Sequence, residues 1–313
     1  MSVITRPRRR ARRPVVALLL AATTVTVAAA GCGAVDPAGG PSGPLRVVAT
    51  VNTWGDLAAQ LGGDHVHVET LAAGGDPHDY EPTASDARAV AGAGLVIVNG
   101  TGYDEWAKRL VESNPAEGRS VLDVGELLGL PADGNPHQWN SAASVERFLE
   151  AVTARYTELR PVDAAYFAER AAAVDAALDG YRTTVARIRD AYTGTPVGAS
   201  EELLEPLAET LGLRIVTPEG YLEARHEETE PSVADRLATE GQLTGREVRA
   251  WLFDSREAAP DVVALNELAA ANGIPVVEVT ETIATPGQRF QDWQLAQLAA
   301  VEDALAGTTG TSG

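Results

Sequence analysis

Asp163–Tyr192 reads DAAYFAERAAAVDAALDGYRTTVARIRDAY, and this stretch decides the architecture. Phe167, Ala171, Val174, Leu178, Tyr181, Val185, Ile188 and Tyr192 step by alternating fours and threes, a narrow apolar seam along one helix. Thirty residues at 1.5 Å each make a rod of roughly 45 Å. Gly180 is its one weak point. Ala142–Leu159 precedes it with Val145, Phe148, Leu149, Val152, Tyr156 and Leu159 at helical spacing.

Short apolar runs alternate with helical stretches on both sides of this rod. Before it, Leu45–Val51 (LRVVATV), His65–Leu71, Leu95–Asn99 (LVIVN) and Val121–Leu122 read as strands, with helices at Trp54–Leu61, Ala84–Ala91 and Tyr103–Glu112. After it, Pro196–Ala199, Leu213–Thr217, Arg249–Asp254 and Pro275–Val279 read as strands, and Glu201–Leu211, Pro231–Leu243, Asp261–Asn272 and Gln288–Leu305 as helices. The pattern predicts an α/β fold of two lobes, each a mostly parallel sheet flanked by helices, joined by one long backbone helix. The expected boundaries are an N-terminal lobe over 45–159, the connecting helix over 160–193, a C-terminal lobe over 194–307 and a polar tail over 308–313. No internal repeat is visible in the sequence.

With 313 residues, 45% of them hydrophobic, the chain is long enough for a substantial core, which rules out a disordered or collagen-like protein. Its formal net charge of −19 excludes nucleic acid as the partner, because phosphate contacts need a basic face. An acidic surface suits a protein that handles cations, and it also confers solubility. A single Cys rules out an internal disulfide or a multi-Cys metal cluster.

That Cys lies at the end of an address. Six arginines precede residue 14, and Val15–Ala30 follows as 16 apolar or small residues, short for a bilayer-spanning helix. Ala29-Ala30-Gly31-Cys32 resembles the bacterial lipobox, in which the Cys is lipidated and becomes the new N-terminus. Residues 1–31 therefore read as a lipoprotein signal peptide. Residues 32–44, rich in Gly, Pro and Ala, read as a flexible tether. The expected location is extracytoplasmic, with a lipid anchor on Cys32 holding the body at the outer face of the membrane.

Two of the five histidines sit directly after a proline in a loop: His78 in Asp76–Asp86 (DPHDYEPTASD) and His137 in Asn135–Trp139 (NPHQW). A restricted backbone before each imidazole suits a ring held in one orientation. Together these motifs resemble the metal-binding signature of the cluster A-I periplasmic solute-binding proteins, which serve ABC transporters for zinc, manganese or iron(II). The resemblance runs along nearly the whole mature chain, including Gly102–Leu110 (GYDEWAKRL), the long helix and the second lobe. It implies two further ligands from the second lobe. Ser200-Glu201-Glu202-Leu203-Leu204 places Glu201 at the third ligand position, with Glu202 and Glu205 as rivals in the same turn. Thr280-Glu281-Thr282-Ile283-Ala284 places Glu281 at the fourth, with Glu278 its nearest competitor.

The resemblance thus implies one divalent transition metal, Mn2+ or Zn2+ with Fe2+ as a third candidate, held by His78, His137, Glu201 and Glu281. Three of these follow the C-terminal ends of predicted strands, where ligands bind in open α/β sheets. Two neutral imidazoles and two carboxylates balance a divalent charge. The absence of a thiolate disfavours copper(I). Glu201 in place of a third His, and no His between 78 and 137, lean towards manganese. Asn140-Ser141-Ala142 departs from the aliphatic-Asp-Pro triplet common in relatives.

The remaining histidines read as structural. His65, His67 and Glu69 alternate as on the solvent face of a strand. His226, among Glu223, Glu227, Glu228 and Glu230, reads as part of a solvated charged loop. The five tryptophans are scattered and read as core.

The implied function is a monomeric, membrane-anchored receptor, not an enzyme, that delivers its ion to an ABC permease. The alternatives are a secreted metallohydrolase using the same residues, although neither HExxH nor GxSxG is present, and an adhesin or metallochaperone without a transporter.

Overall fold

The computed structural model describes residues 43–72, 77, 80–227, 229–254, 256 and 259–307. The signal peptide, Cys32, nearly all of the tether, His78 and the tail at 308–313 lie outside the described residues.

Two four-stranded sheets, all parallel, form the frame. The first contains β1 (Leu45–Val51), β2 (Val66–Ala72), β3 (Leu95–Val98) and β4 (Ser120–Asp123) in the order β2-β1-β3-β4. The second contains β5 (Pro196–Ala199), β6 (Arg214–Ile215), β7 (Trp251–Asp254) and β8 (Val276–Val279) in the order β6-β5-β7-β8. The same order occurs twice, a repeat of topology that the residues themselves do not announce. Both sheets belong to one compact unit.

The first sheet is flanked by α1 (Asn52–Gly62), α2 (Ala84–Ala91), α3 (Glu105–Ser113) and the short α4 (Val124–Leu128). The start of α2 is set by a capping box: Thr83 Oγ1 accepts from Ser85 and Asp86 N–H, and Asp86 Oδ2 accepts from Thr83 N–H. α5 (Ala142–Leu159) follows the expected span to the residue.

The expected rod is two helices. α6 (Ala164–Ala177) and α7 (Asp179–Tyr192) meet at Leu178, two residues before the glycine that is the weak point of the sequence. Leu178 N–H is shared between the carbonyls of Val174 and Asp175 at 3.1 Å each. Arg182 Nη1 donates to the Asp175 carbonyl at 2.8 Å, and Arg182 Nε to Glu146 of α5 at 2.7 Å. A side chain drawn into the hydrogen-bond ladder is a sufficient cause for a bend. The seam itself is buried as its spacing predicts: Phe167, Val174, Leu178, Tyr181 and Ile188. α6 packs on α1 and α5, α7 on the second-sheet side.

Around the second sheet lie α8 (Glu205–Leu211), α9 (Glu219–His226), α10 (Val233–Thr244), α11 (Pro260–Ala271) and α12 (Phe290–Ala306). The helix expected from Glu201 starts later, at Glu205, after a single turn over Glu202–Leu204. α9 is absent from the sequence expectation, because only Tyr221 and Leu222 in it are buried.

Polar contacts tie the two halves together. Asn52 donates to Ile283 O at 2.8 Å and accepts from Ile283 N–H at 3.2 Å. Gln60 and Gln291 exchange amide hydrogen bonds at 2.9 and 3.1 Å. Gln294 of α12 donates to Trp139 O and Asn140 Oδ1.

Candidate metal centre

His137 reaches the site from the loop between α4 and α5. Asn99, directly after β3, accepts from Trp54 Nε1 at 2.7 Å and donates to Pro136 O at 3.1 Å, which anchors the residue before the imidazole. Asn99 is fixed in turn by Asp104, whose carboxylate accepts from Asn99 and Gly100 N–H at 2.7 and 2.9 Å. Burial pushes Asp104 above the usual carboxylate range, and those two N–H groups pull against the rise. Trp139, fully buried, stands edge-on to His137 with the ring centres 5.4 Å apart.

Glu281 comes from the opposite half, two residues beyond β8. His137 Nε2 and Glu281 Oε1 stand 3.3 Å apart, with side chains only 1% and 2% exposed. The sequence separates them by more than 140 residues, and a buried carboxylate beside a buried imidazole is stable only when paired. Tyr103 Oη donates to the same Oε1 at 2.6 Å, and Arg256 meets Oε2. Arg256 Nε lies 4.0 Å from Asp254 at the end of β7.

Glu201 occupies an extended position two residues beyond β5, φ −155° and ψ 160°, partly buried. Its neighbour Glu202 supplies the carbonyl that accepts from Asn135 Nδ2 at 2.7 Å, so this segment touches the His137 loop through the main chain. His78 lies outside the described residues; Pro77 beside it accepts from Trp106 Nε1 at 2.8 Å. Of the four expected ligands, then, the structure brings two together. Among the described residues no group of three His, Cys, Asp or Glu side chains converges, a set from which His78 is missing.

Two histidine readings change. His226 ends α9 rather than lying in a loop; its Nδ1 is 3.1 Å from Glu202 Oε1 and its ring 6.4 Å from that of His137. Burial, reinforced by Glu205 and Glu223, pushes Glu202 up to about 7. These groups line a cavity of about 610 Å3 with Tyr103 and Pro136. His65 sits in a turn before β2, not on the strand: it stacks on Tyr166 at 3.8 Å and pairs with Asp163 at 3.1 Å. His67 is exposed on β2.

Sequence reasoning missed Tyr103, Arg256 and Asn99. Asn135, two residues before a proline-held His, and Tyr103, within Gly102–Leu110, lie in stretches the resemblance covers, but neither stretch assigns them a role. Tyr103 reaches Glu281 across 178 positions, a distance no motif encodes.

Residues 47–304 match the family model described as the periplasmic zinc-uptake complex component A. Among curated relatives, the manganese-binding lipoprotein MntA of Halalkalibacterium halodurans is 33% identical over 159 residues, 48% of this chain and 51% of that protein. The iron-binding protein YfeA of Yersinia pestis is 28% identical over 149 residues, 43% of this chain and 48% of its own length. The chain spans about half the length of these curated relatives. The periplasmic zinc-binding protein TroA from Treponema pallidum shares the fold with a TM-score of 0.69 at 21% identity, over 84% of this chain and 99% of that one. A Mn-bound periplasmic metal-binding protein from Candidatus Liberibacter asiaticus matches with a TM-score of 0.68 at 21% identity, over 83% and 98%.

Proposed function

Since the chain belongs to the family of periplasmic zinc-uptake component A proteins, we propose that it captures a divalent transition metal outside the cytoplasm and delivers it to the permease of an ABC transporter. Mn2+ and Zn2+ are the leading cargoes, with Fe2+ a third. The ion is the substrate, taken up and released unchanged.

The observation that carries this reading is the buried meeting of His137 and Glu281 from opposite halves. An imidazole nitrogen and a carboxylate oxygen 3.3 Å apart, brought from opposite halves, are close enough to ligate one ion and are donor types that divalent transition metals take. His78 and Glu201 complete the proposed set. Its two neutral and two anionic donors match a divalent charge, with Arg256 and Asp254 as a further opposite-charge pair beside Glu281. Relatives named for manganese, iron and zinc support a metal of this class without choosing among them. Their names are those of binding and transport proteins, which favours a carrier over the metallohydrolase reading.

Lobes over 45–159 and 194–307 would then enclose the ion, with 160–193 as the spine. A lipid on Cys32 would keep the loaded monomer beside its permease, and relatives named as lipoproteins support that anchor.

Calorimetric titration of the purified chain with Mn2+ and with Zn2+ tests the proposal. One ion per chain should bind, and His78→Ala, His137→Ala and Glu281→Gln should each weaken binding by at least 100-fold while the fold persists. A wild-type chain that takes up neither ion refutes it.

A further inference from the structure

We propose that Asn135 is the positioning residue of this site: it fixes the proton of His137 on Nδ1 and ties the imidazole loop to the segment carrying Glu201. The inference rests on the metal-binding reading above and concerns a side chain that touches His137 rather than the ion.

Four contacts fix the Asn135 amide. Its Oδ1 accepts from the backbone N–H of His137 at 3.0 Å and lies 3.1 Å from His137 Nδ1. Its Nδ2 donates to Glu202 O at 2.7 Å and stands 3.3 Å from Glu205 Oε2. Amide oxygen and nitrogen are easily exchanged in a structure, but here the exchange is chemically barred. A backbone N–H can only donate and a backbone carbonyl can only accept. Turning the amide over would set N–H against N–H and oxygen against oxygen.

With Oδ1 so fixed, the nitrogen facing it must carry a proton. A neutral His137 is therefore the Nδ1–H tautomer, which turns the Nε2 lone pair towards the Glu281 carboxylate, an approach of two acceptors that a cation between them stabilises. Ligating histidines are held in this way by an oxygen acceptor on the far nitrogen, and losing that acceptor typically weakens metal binding about 10- to 100-fold. Asn135 does more than hold the ring. The carbonyl it grips is 67 residues away, in the turn that follows Glu201. One amide therefore orients an imidazole from the first half and registers it against the acid-bearing strand end of the second.

The test uses the whole chain, metal-free and loaded, in wild type, Asn135→Ala and Asn135→Asp. Nitrogen-15 spectra of labelled histidine should show Nδ1 of His137 protonated in the metal-free wild type. Asn135→Asp keeps an acceptor oxygen and should keep that state, whereas Asn135→Ala should release it. Titrated with Mn2+ and with Zn2+, Asn135→Ala should bind about 10- to 100-fold more weakly than wild type. Asn135→Asp should recover part of that loss but dissociate faster, having lost its donor to Glu202 O. A wild-type His137 protonated only on Nε2 overturns the proposal. So does undiminished affinity in Asn135→Ala when the wild type binds. Should Asn135→Ala not fold, loss of the Nδ1 proton in Asn135→Asp is the overturning result. If the wild type binds no metal, the functional reading fails on its own, while the histidine spectrum still decides the role of Asn135.

Discussion

The first sheet and the second share a strand order but are filled by different means. β1 and β2 run seven residues each and β3 is buried throughout, and over their ends sits an aromatic cluster: Trp54 lies 4.5 Å from Phe148 and 6.3 Å from Trp139. Among the described residues no strand of the second sheet exceeds four residues, and β6 has two. Its tight point is a glycine: a Cβ on Gly198 would come 2.5 Å from the ring of Trp251 on the neighbouring strand. The contrast extends to the site. His137 is two residues from the buried Trp139 and inherits the rigidity of the aromatic cluster. Glu281 hangs beyond β8 and is held by polar groups, Tyr103 and Arg256. Both donors are held by polar contacts, His137 by Asn135 and Glu281 by Tyr103 and Arg256, but His137 also packs against the buried aromatic cluster.

Trp139→Ala is the most severe way to break that contrast. Emptying so large a buried site costs about 3–5 kcal/mol, measured by denaturant unfolding. It should also weaken metal binding, since the residue packs against His137. Trp251→Ala should cost a similar amount of stability and leave affinity near wild type. Equal affinity losses in both would show that the two halves are not built differently.

A gentler pair of substitutions probes the tight point of the second sheet. Gly198→Ala forces a methyl group into the Trp251 ring and should destabilise by about 1–3 kcal/mol. Gly180→Ala, inside α7, meets only Leu295 Cδ1 at 3.7 Å and should stabilise by about 0.5–1 kcal/mol. Shifts of the urea midpoint in opposite directions are expected. A tolerated Gly198→Ala would mean that Trp251 has room to move.

These differences also explain what the sequence disclosed. Alternating apolar runs gave both sheets, because short buried strands and helical seams are written in neighbouring residues; α2 and α5 fall where the spacing puts them. The bend at Leu178 was hidden. It depends on Arg182 being drawn towards Glu146, which α5 brings near only after folding. α9 was hidden because a helix with two buried residues has almost no periodicity to read. At the site, proline-held imidazoles were legible and Glu281 followed from resemblance. The groups that hold them were not. Tyr103, Asn99 and Arg256 act through hydrogen bonds or charges to residues far off in the sequence, and composition cannot signal such contacts.

The smallest expected effect concerns the seam between the halves. Asp56 of α1 accepts from Phe290 N–H at the start of α12 at 2.8 Å and from Gln60 Nε2 at 2.6 Å. Burial raises its carboxyl above the ordinary 3.8, despite those hydrogen bonds and nearby Arg289. A carboxyl with a raised native pKa keeps its proton in the folded chain after the unfolded chain has lost it. The folded state then binds more protons, so stability falls as pH climbs from about 3.8 through the native value, and levels off above it. Asp56→Asn retains an oxygen for both donors and never ionises. It should match wild type near pH 3 and equal or exceed it at pH 7, in chelator-treated protein unfolded by urea at each pH. A variant weaker than wild type at pH 7 would show that Phe290 N–H requires a charged acceptor. The seam would then be held electrostatically, as Glu281 is by Arg256.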